Sequence, residues 1–135
     1  MIRFFVPGEP VAKGRPRMTR NGHAYTPAKT RQYEDKLAFF GAQAMEGRPL
    51  LDIPLHVDLL VVLPIPASWS NRKKEQAIRG GIYPSGRKDL DNFIKILDGL
   101  NGVVWEDDGL ICSLSARKVY GEKPGLQIVL EEYLG

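Results

Sequence analysis

Apolar positions change their period several times along this chain, and each change marks an element. Met1 to Pro7 is rich in β-forming residues and closes on a proline, which predicts a first strand. Gly8 to Pro27 shows no apolar period and is interrupted by Pro10, Gly14, Pro16 and Gly22, so it reads as a long loop of the kind that carries function in a compact domain. From Ala28 to Glu46, the residues Tyr33, Leu37, Phe40 and Ala44, with Ala38, Gly41 and Met45 beside them, fall on one face at helical spacing. Leu55 to Leu63 then alternates. Leu55, Val57, Leu59, Val61 and Leu63 share a face, while His56 and Asp58 give way to Leu60 and Val62 on the other, which predicts a central strand exposed at its start and buried on both faces later.

Beyond Pro64, Ser70 is a plausible cap for a short polar helix from Asn71 to Arg79, which Gly80-Gly81 would end. Asp91 or Asn92 is suited to cap a helix in which Phe93, Ile94, Ile96, Leu97 and Leu100 recur until Asn101-Gly102. Val103 to Trp105 fits a brief strand, and Asp107-Asp108-Gly109 a turn with Asp108 at its tip. Leu110 to Tyr120 and Leu126 to Tyr133 read as closing strands joined by a hairpin through Gly121 to Gly125. The order, roughly β-loop-α-β-α-α-β-β, predicts an α+β fold: a mixed β-sheet packed by helices, in a single domain over residues 1–135.

Composition narrows the class. A chain of 135 residues that is 43% hydrophobic is large enough to bury a core without staples. Cys112 is the sole cysteine, so no internal disulfide forms, and its neighbours Leu110, Ile111 and Leu114 suggest a packed strand position in a protein of the reducing cytoplasm. No apolar run approaches the roughly 20 residues of a membrane span, and the basic-then-apolar plan of a signal peptide is missing, so no membrane partner is expected. The net charge of +3 is modest but unevenly spread: Lys13, Arg15, Arg17 and Arg20 form one basic cluster, and Arg72, Lys73, Lys74, Arg79, Arg87 and Lys88 another. Clustered positive charge points to an anionic partner.

The chemistry concentrates in Arg87-Lys88-Asp89-Leu90-Asp91-Asn92. Asp89 and Asp91 point to the same side only in an extended segment, so as a clasp they must lie in the approach to the helix. Lys95 follows Asp91 by one helical turn and would project from the same face. Together with Asp108 these acids suit Mg²⁺, a hard cation that prefers oxygen ligands, and Mn²⁺ shares that preference. Such an ion would polarise a phosphoryl oxygen and help deliver a water. Arg87 and Lys88 would clamp phosphate, as would Lys13, Arg15 and Arg17, which Gly14 and Pro16 hold in a stiff arm open to close backbone approach. In the competing reading the aspartates cap a helix and make a turn, and Lys95 merely pairs with Asp91. His23 and His56 lack zinc-ligand spacing, and no nucleophile elbow or Walker loop is present.

These motifs, with Trp105-Glu106-Asp107-Asp108 and Val6-Pro7-Gly8-Glu9-Pro10, resemble the RusA-type Holliday-junction resolvases, crossover junction endodeoxyribonucleases common in phages and prophages. The resemblance implies that Asp89, Asp91 and Asp108 are catalytic aspartates and Lys95 the catalytic lysine. It also implies a homodimer that binds four-way DNA junctions and, with Mg²⁺, cuts two symmetry-related strands in DNA recombination and repair. Paired incisions on a two-fold substrate call for two matched sites. The long N-terminal loop and the Ser70 to Arg79 segment depart from shorter family members. The alternatives are a nuclease of flaps or forks, and a non-catalytic module that binds branched DNA.

Overall fold

The computed structural model describes residues 1–86 and 88–135; the expected phosphate contact Arg87 lies outside the described residues. Strand β1 (Ile2–Pro7) is followed by a small hairpin, β2 (Arg17–Met18) with β3 (Ala24–Tyr25), and by helix α1 (Ala28–Met45). Strand β4 (Leu55–Pro64), helices α2 (Asn71–Ile78) and α3 (Leu90–Lys95), and strands β5 (Ile111–Gly121) and β6 (Gly125–Glu132) complete the chain. A 3-10 turn, Ile96–Leu100, continues α3, and another, Asp108–Leu110, leads into β5. The outcome is the expected α+β fold around a mixed sheet of order β1-β6-β4-β5.

Cross-strand rows build the core. Val6, Leu126 and Val61 align across three strands, as do Phe4, Ile128 and Leu59, and Ile2, Leu130 and Val57. All are buried on one face. Each such side chain contributes roughly 1.5–3 kcal/mol on leaving water. Helix α1 covers that face with Tyr33, Leu37, Gly41 and Met45, a stripe at helical spacing. Gly41 lets the helix close on the 3-10 turn, since a Cβ there would stand 2.7 Å from Leu100 Cδ2 and 3.0 Å from Val104 Cγ2. The other sheet face stays partly open. Leu60 and Val62 are only half-buried, so β4 is not buried on both faces as its apolar run suggests.

Four further expectations are corrected. β5 and β6 do not pair as a hairpin: they flank β4, β5 parallel to it and β6 antiparallel. The Gly121 to Gly125 link passes the end of β4, with glycine where a Cβ would strike Val62 or the Phe5 ring. Val103 to Trp105 forms isolated bridges rather than a strand, because Trp105 is fully buried and its indole N–H donates to Asn101 Oδ1 at 2.6 Å. Cys112 is exposed, as β5 is an edge strand. The N-terminal loop is interrupted by the β2–β3 hairpin, whose turn Gly22 enters at φ 80. Ser70 does cap α2, its Oγ accepting from the Lys73 N–H at 3.2 Å. Among the described residues no helix is long and apolar enough to cross a membrane.

Candidate active site and nucleic-acid interface

Helix α3 begins one residue after Asp89, which holds the extended cap position at ψ 140. Asp91 therefore lies in the first helical turn instead of an extended approach, and the two carboxylates straddle the helix boundary. The apolar spacing explains the earlier start. Leu90, Phe93 and Leu97 pack into the core at i, i+3 and i+7, so Leu90 belongs to the buried stripe of the helix. On the other side Lys95 Nζ stands 3.7 Å from Asp91 Oδ2, with both side chains more than half exposed. This i, i+4 pair adds little stability, which leaves the ammonium available to a phosphate.

Asp98 extends this polar face. It follows Asp91 by seven residues and Lys95 by three, while Phe93, Ile96, Leu97 and Leu100 bury the opposite side. Its Oδ2 accepts from Lys13 Nζ at 2.8 Å, and its carboxylate also meets that of Asp108. Burial works to raise Asp98, but hydrogen bonds with Lys13 and Asp108 and the lysine charge outweigh it, so Asp98 titrates below the ordinary aspartate range. For Asp108 the shared hydrogen bond with Asp98 is the largest cause, reinforced by slight burial and the charges of Asp98 and Asp107, and it titrates above that range. The ammonium lies beside Asp98, which is why that carboxylate is the lowered one of the two and Asp108 the raised one. Asp107 accepts from the Gly109 N–H at 3.0 Å and so caps the turn that presents Asp108.

The N-terminal arm is docked, not free. The Lys13 N–H donates to the Asn92 carbonyl at 2.9 Å, and the Gly14 N–H to the buried Thr30 Oγ1 at 3.0 Å. A Cβ on Gly14 would crowd that hydroxyl at 3.1 Å and Pro27 Cγ at 3.2 Å. Lys13 also meets Glu34 Oε2 at 3.4 Å. Burial opposes its charge, but Asp98 and Glu34 more than offset this and raise it above an ordinary lysine. Its ammonium is thus engaged by carboxylates.

Arg15, Arg17 and Lys88, by contrast, line one open cleft of about 360 Å³ together with Lys29 from the first turn of α1. Lys29 escaped the sequence reading because it lies in the first turn of a helix, outside both basic clusters, and only the docking of the arm brings it to Arg15. Lys88 is held from β5, where Lys118 Nζ donates to its carbonyl at 2.9 Å. Tyr25, in the arm's hairpin, is 46% exposed, enough to stack on a base. The basic helix α2 lies elsewhere: its Lys73 sits 4.1 Å over the Trp69 ring, which packs edge-on against Tyr120.

The family model for Endodeoxyribonuclease RusA matches residues 7–131, a span that includes the arm, the α3 acids and the Asp108 turn. This chain belongs to the RusA family. Within it, the chain is similar to YqaN of Bacillus subtilis strain 168, a protein described as uncharacterized, at 37% identity over 139 residues that cover 97% of this chain and 96% of the relative. Membership places the protein among endodeoxyribonucleases. The carboxylate donors fit the hard cation such chemistry uses in kind. In arrangement they fit in part. Among the described residues no three acidic, histidine or cysteine side chains are gathered closely enough to enclose an ion, so Asp89, Asp91 and Asp108 do not form one cluster. The acid that meets Asp108 is Asp98.

Proposed function

We propose that the protein is a Mg²⁺-dependent, structure-selective endodeoxyribonuclease of the cytoplasm that resolves Holliday junctions as a homodimer. The observation that carries this reading is the adjacency of two surfaces: the acid and lysine face of α3, and the basic cleft that Lys88, one residue before Asp89, shares with the arm. Asp89, Asp91 and Asp108 would hold the cation. When bound, it supplies charge stabilisation at the phosphoryl group and a water of lowered pKa.

The chain's own residues do the rest. Lys95, exposed beside Asp91, offers an ammonium to the charge that develops on the scissile phosphate. Arg15, Arg17, Lys29, Lys88 and the neighbouring Arg87 hold the flanking backbone, and such phosphate contacts fix register without reading sequence. That suits recognition of a branched shape. Two protomers related by a two-fold axis would present two such sites to a four-way junction.

The deciding experiment incubates purified protein with a synthetic four-way junction, a flap and a fork, with Mg²⁺ or EDTA. Paired symmetric cuts in the junction, lost in EDTA and in Asp89→Asn, are expected. No incision of any substrate, or full activity in Asp89→Asn, would sink the assignment. Preference for flaps or forks would move it to another branched substrate.

A further inference from the structure

The hairpin in the arm stands clear of the core. Every residue from Arg17 to Tyr25 is exposed, and none of them packs against the buried cluster under α1. Its shape comes from its own turn: the Thr19 N–H donates to the His23 carbonyl at 2.9 Å, the His23 N–H to Thr19 Oγ1 at 3.1 Å, and the Gly22 N–H to the Thr19 carbonyl at 3.0 Å. Its base is fixed on both sides, by the Lys13 and Gly14 bonds before β2 and by Pro27, which opens α1, after β3. A two-stranded hairpin is marginal in water by itself, so one that is tied only at its base and exposes Met18 and Tyr25 gains most from a partner outside the chain.

The register decides which side meets that partner. Arg17 pairs with Tyr25 and Met18 with Ala24, and direct cross-strand partners project to the same side with Cβ atoms about 5 Å apart. Tyr25 therefore shares a face with Arg17, which lines the basic cleft with Arg15, Lys29 and Lys88. Met18 projects to the opposite face, so the two exposed apolar side chains make no common patch for a protein surface. From Pro10 to Tyr33 the chain carries six lysines and arginines and no aspartate or glutamate, which selects a polyanion. A ring beside a phosphate-binding arginine matches a nucleotide, the ring on the base and the guanidinium on the backbone. In continuous duplex each base is covered by its neighbours, so the ring finds a free base only where stacking is interrupted.

We propose that Tyr25 stacks on a base left unstacked at the branch point of DNA while Arg17 holds a phosphate of the same strand, so that the hairpin selects branched over continuous DNA. This rests on the reading of the arm as a surface for branched DNA, and it adds a base contact to the phosphate contacts assigned there.

The test measures affinity of the full chain in EDTA, by fluorescence anisotropy, for a four-way junction and for a continuous duplex. Tyr25→Ala should weaken junction binding by about tenfold, the scale of losing one base–aromatic stack, and duplex binding by less than about twofold. Tyr25→Phe, which keeps the ring, should hold junction affinity within about twofold, and Met18→Ala, on the opposite face, should change neither substrate. Arg17→Ala should weaken both substrates alike and lower the salt slope by about 0.9. A 5-iododeoxyuridine at the branch point, irradiated in the wild-type complex, should crosslink to Tyr25, whereas the same base in mid-duplex or at a strand end should not. Circular dichroism and melting temperature establish that each variant is folded. Wild-type junction affinity in folded Tyr25→Ala overturns the proposal. So do equal losses on junction and duplex, which would make the ring a support for the arm, and a branch-point crosslink to a different residue. A wild type that shows the Tyr25 contact yet cuts no DNA with Mg²⁺ overturns the nuclease reading alone, and a wild type that binds no junction overturns both.

Discussion

Two basic stretches of similar density, the arm from Lys13 to Arg17 and the α2 segment from Arg72 to Arg79, end in different chemical settings. The arm is fastened at Lys13 and Gly14 and turns Arg15 and Arg17 into a cleft shared with Lys29 and Lys88, beside the α3 acids. Helix α2 is an amphipathic element whose Ala77 is buried and whose Lys73 covers Trp69. Charge density alone does not distinguish them. What separates them is attachment: the arm is bonded to the backbone of the helix that carries the acids, whereas α2 packs near β5 through an aromatic pair.

The widest separation should appear in catalysis. Asp108→Asn removes an acid at the arm's end of the molecule and should lower junction cleavage by about 10²-fold or more, the scale of losing one electrostatic contributor in an active site. Neutralising Arg72, Lys74 and Arg79 together should leave the rate within about twofold, since exposed charges act on a reacting group only weakly beyond a Debye length of about 8–10 Å. Single-turnover rates under saturating enzyme compare the two directly. Equal losses in both variants would erase the distinction between the stretches.

Binding gives the next largest contrast. Removing Arg15, Arg17 and Lys29 together should weaken junction affinity and flatten its dependence on salt by about two to three in the log–log slope, because each phosphate contact adds about 0.9. The α2 triple variant should keep the wild-type slope. Fluorescence anisotropy across a salt series in EDTA measures both, and a flattened slope in the α2 variant would mean that DNA runs over α2 instead.

This contrast marks where sequence stops being legible. The β4 alternation, the α1 stripe and the Ser70 cap are local patterns with one physical solution, and each forms as its spacing requires. The sides of β4 on which β5 and β6 settle are decided by which sheet edge is free, and a short glycine link fits a hairpin as well as a passage around a strand end. At the site, Asp89, Asp91, Lys95 and Asp108 are visible as a motif. Asp98 hides among apolar residues, although its i+7 relation to Asp91 was there to be counted. Lys13 and Arg15 look interchangeable in sequence, and only the fold shows one facing carboxylates and the other an open cleft.

Stability should separate the stretches more modestly. Lys13→Met breaks the link to Asp98, and since the Asp98 side chain is 40% exposed, water screens the pair to about 1 kcal/mol. The sign with pH follows from Asp98, which titrates lower when folded than when unfolded. Its contribution is complete above the ordinary aspartate value of about 4 and fades as pH falls through the lower folded value. Urea denaturation should therefore find wild type and Lys13→Met furthest apart near neutrality and converging below about pH 4. A gap that widens on acidification would mean that the lysine is not stabilised by Asp98.

On α2 the corresponding effect should be smaller still and should not depend on carboxylates. Lys73→Ala removes the cation over the Trp69 ring at an exposed site, a loss of about 0.5 kcal/mol. The contact is between a cation and a ring and takes no carboxylate, so the difference in urea midpoint between wild type and Lys73→Ala should stay flat over the range in which the Lys13→Met difference collapses. Trp69 fluorescence offers a local probe of the same contact, since the ring loses its covering ammonium while its edge-on packing against Tyr120 remains. A Lys73→Ala difference that fades in acid would show that α2 also leans on a carboxylate, and the division between a stretch wired to the acids and one that only covers an aromatic ring would no longer hold.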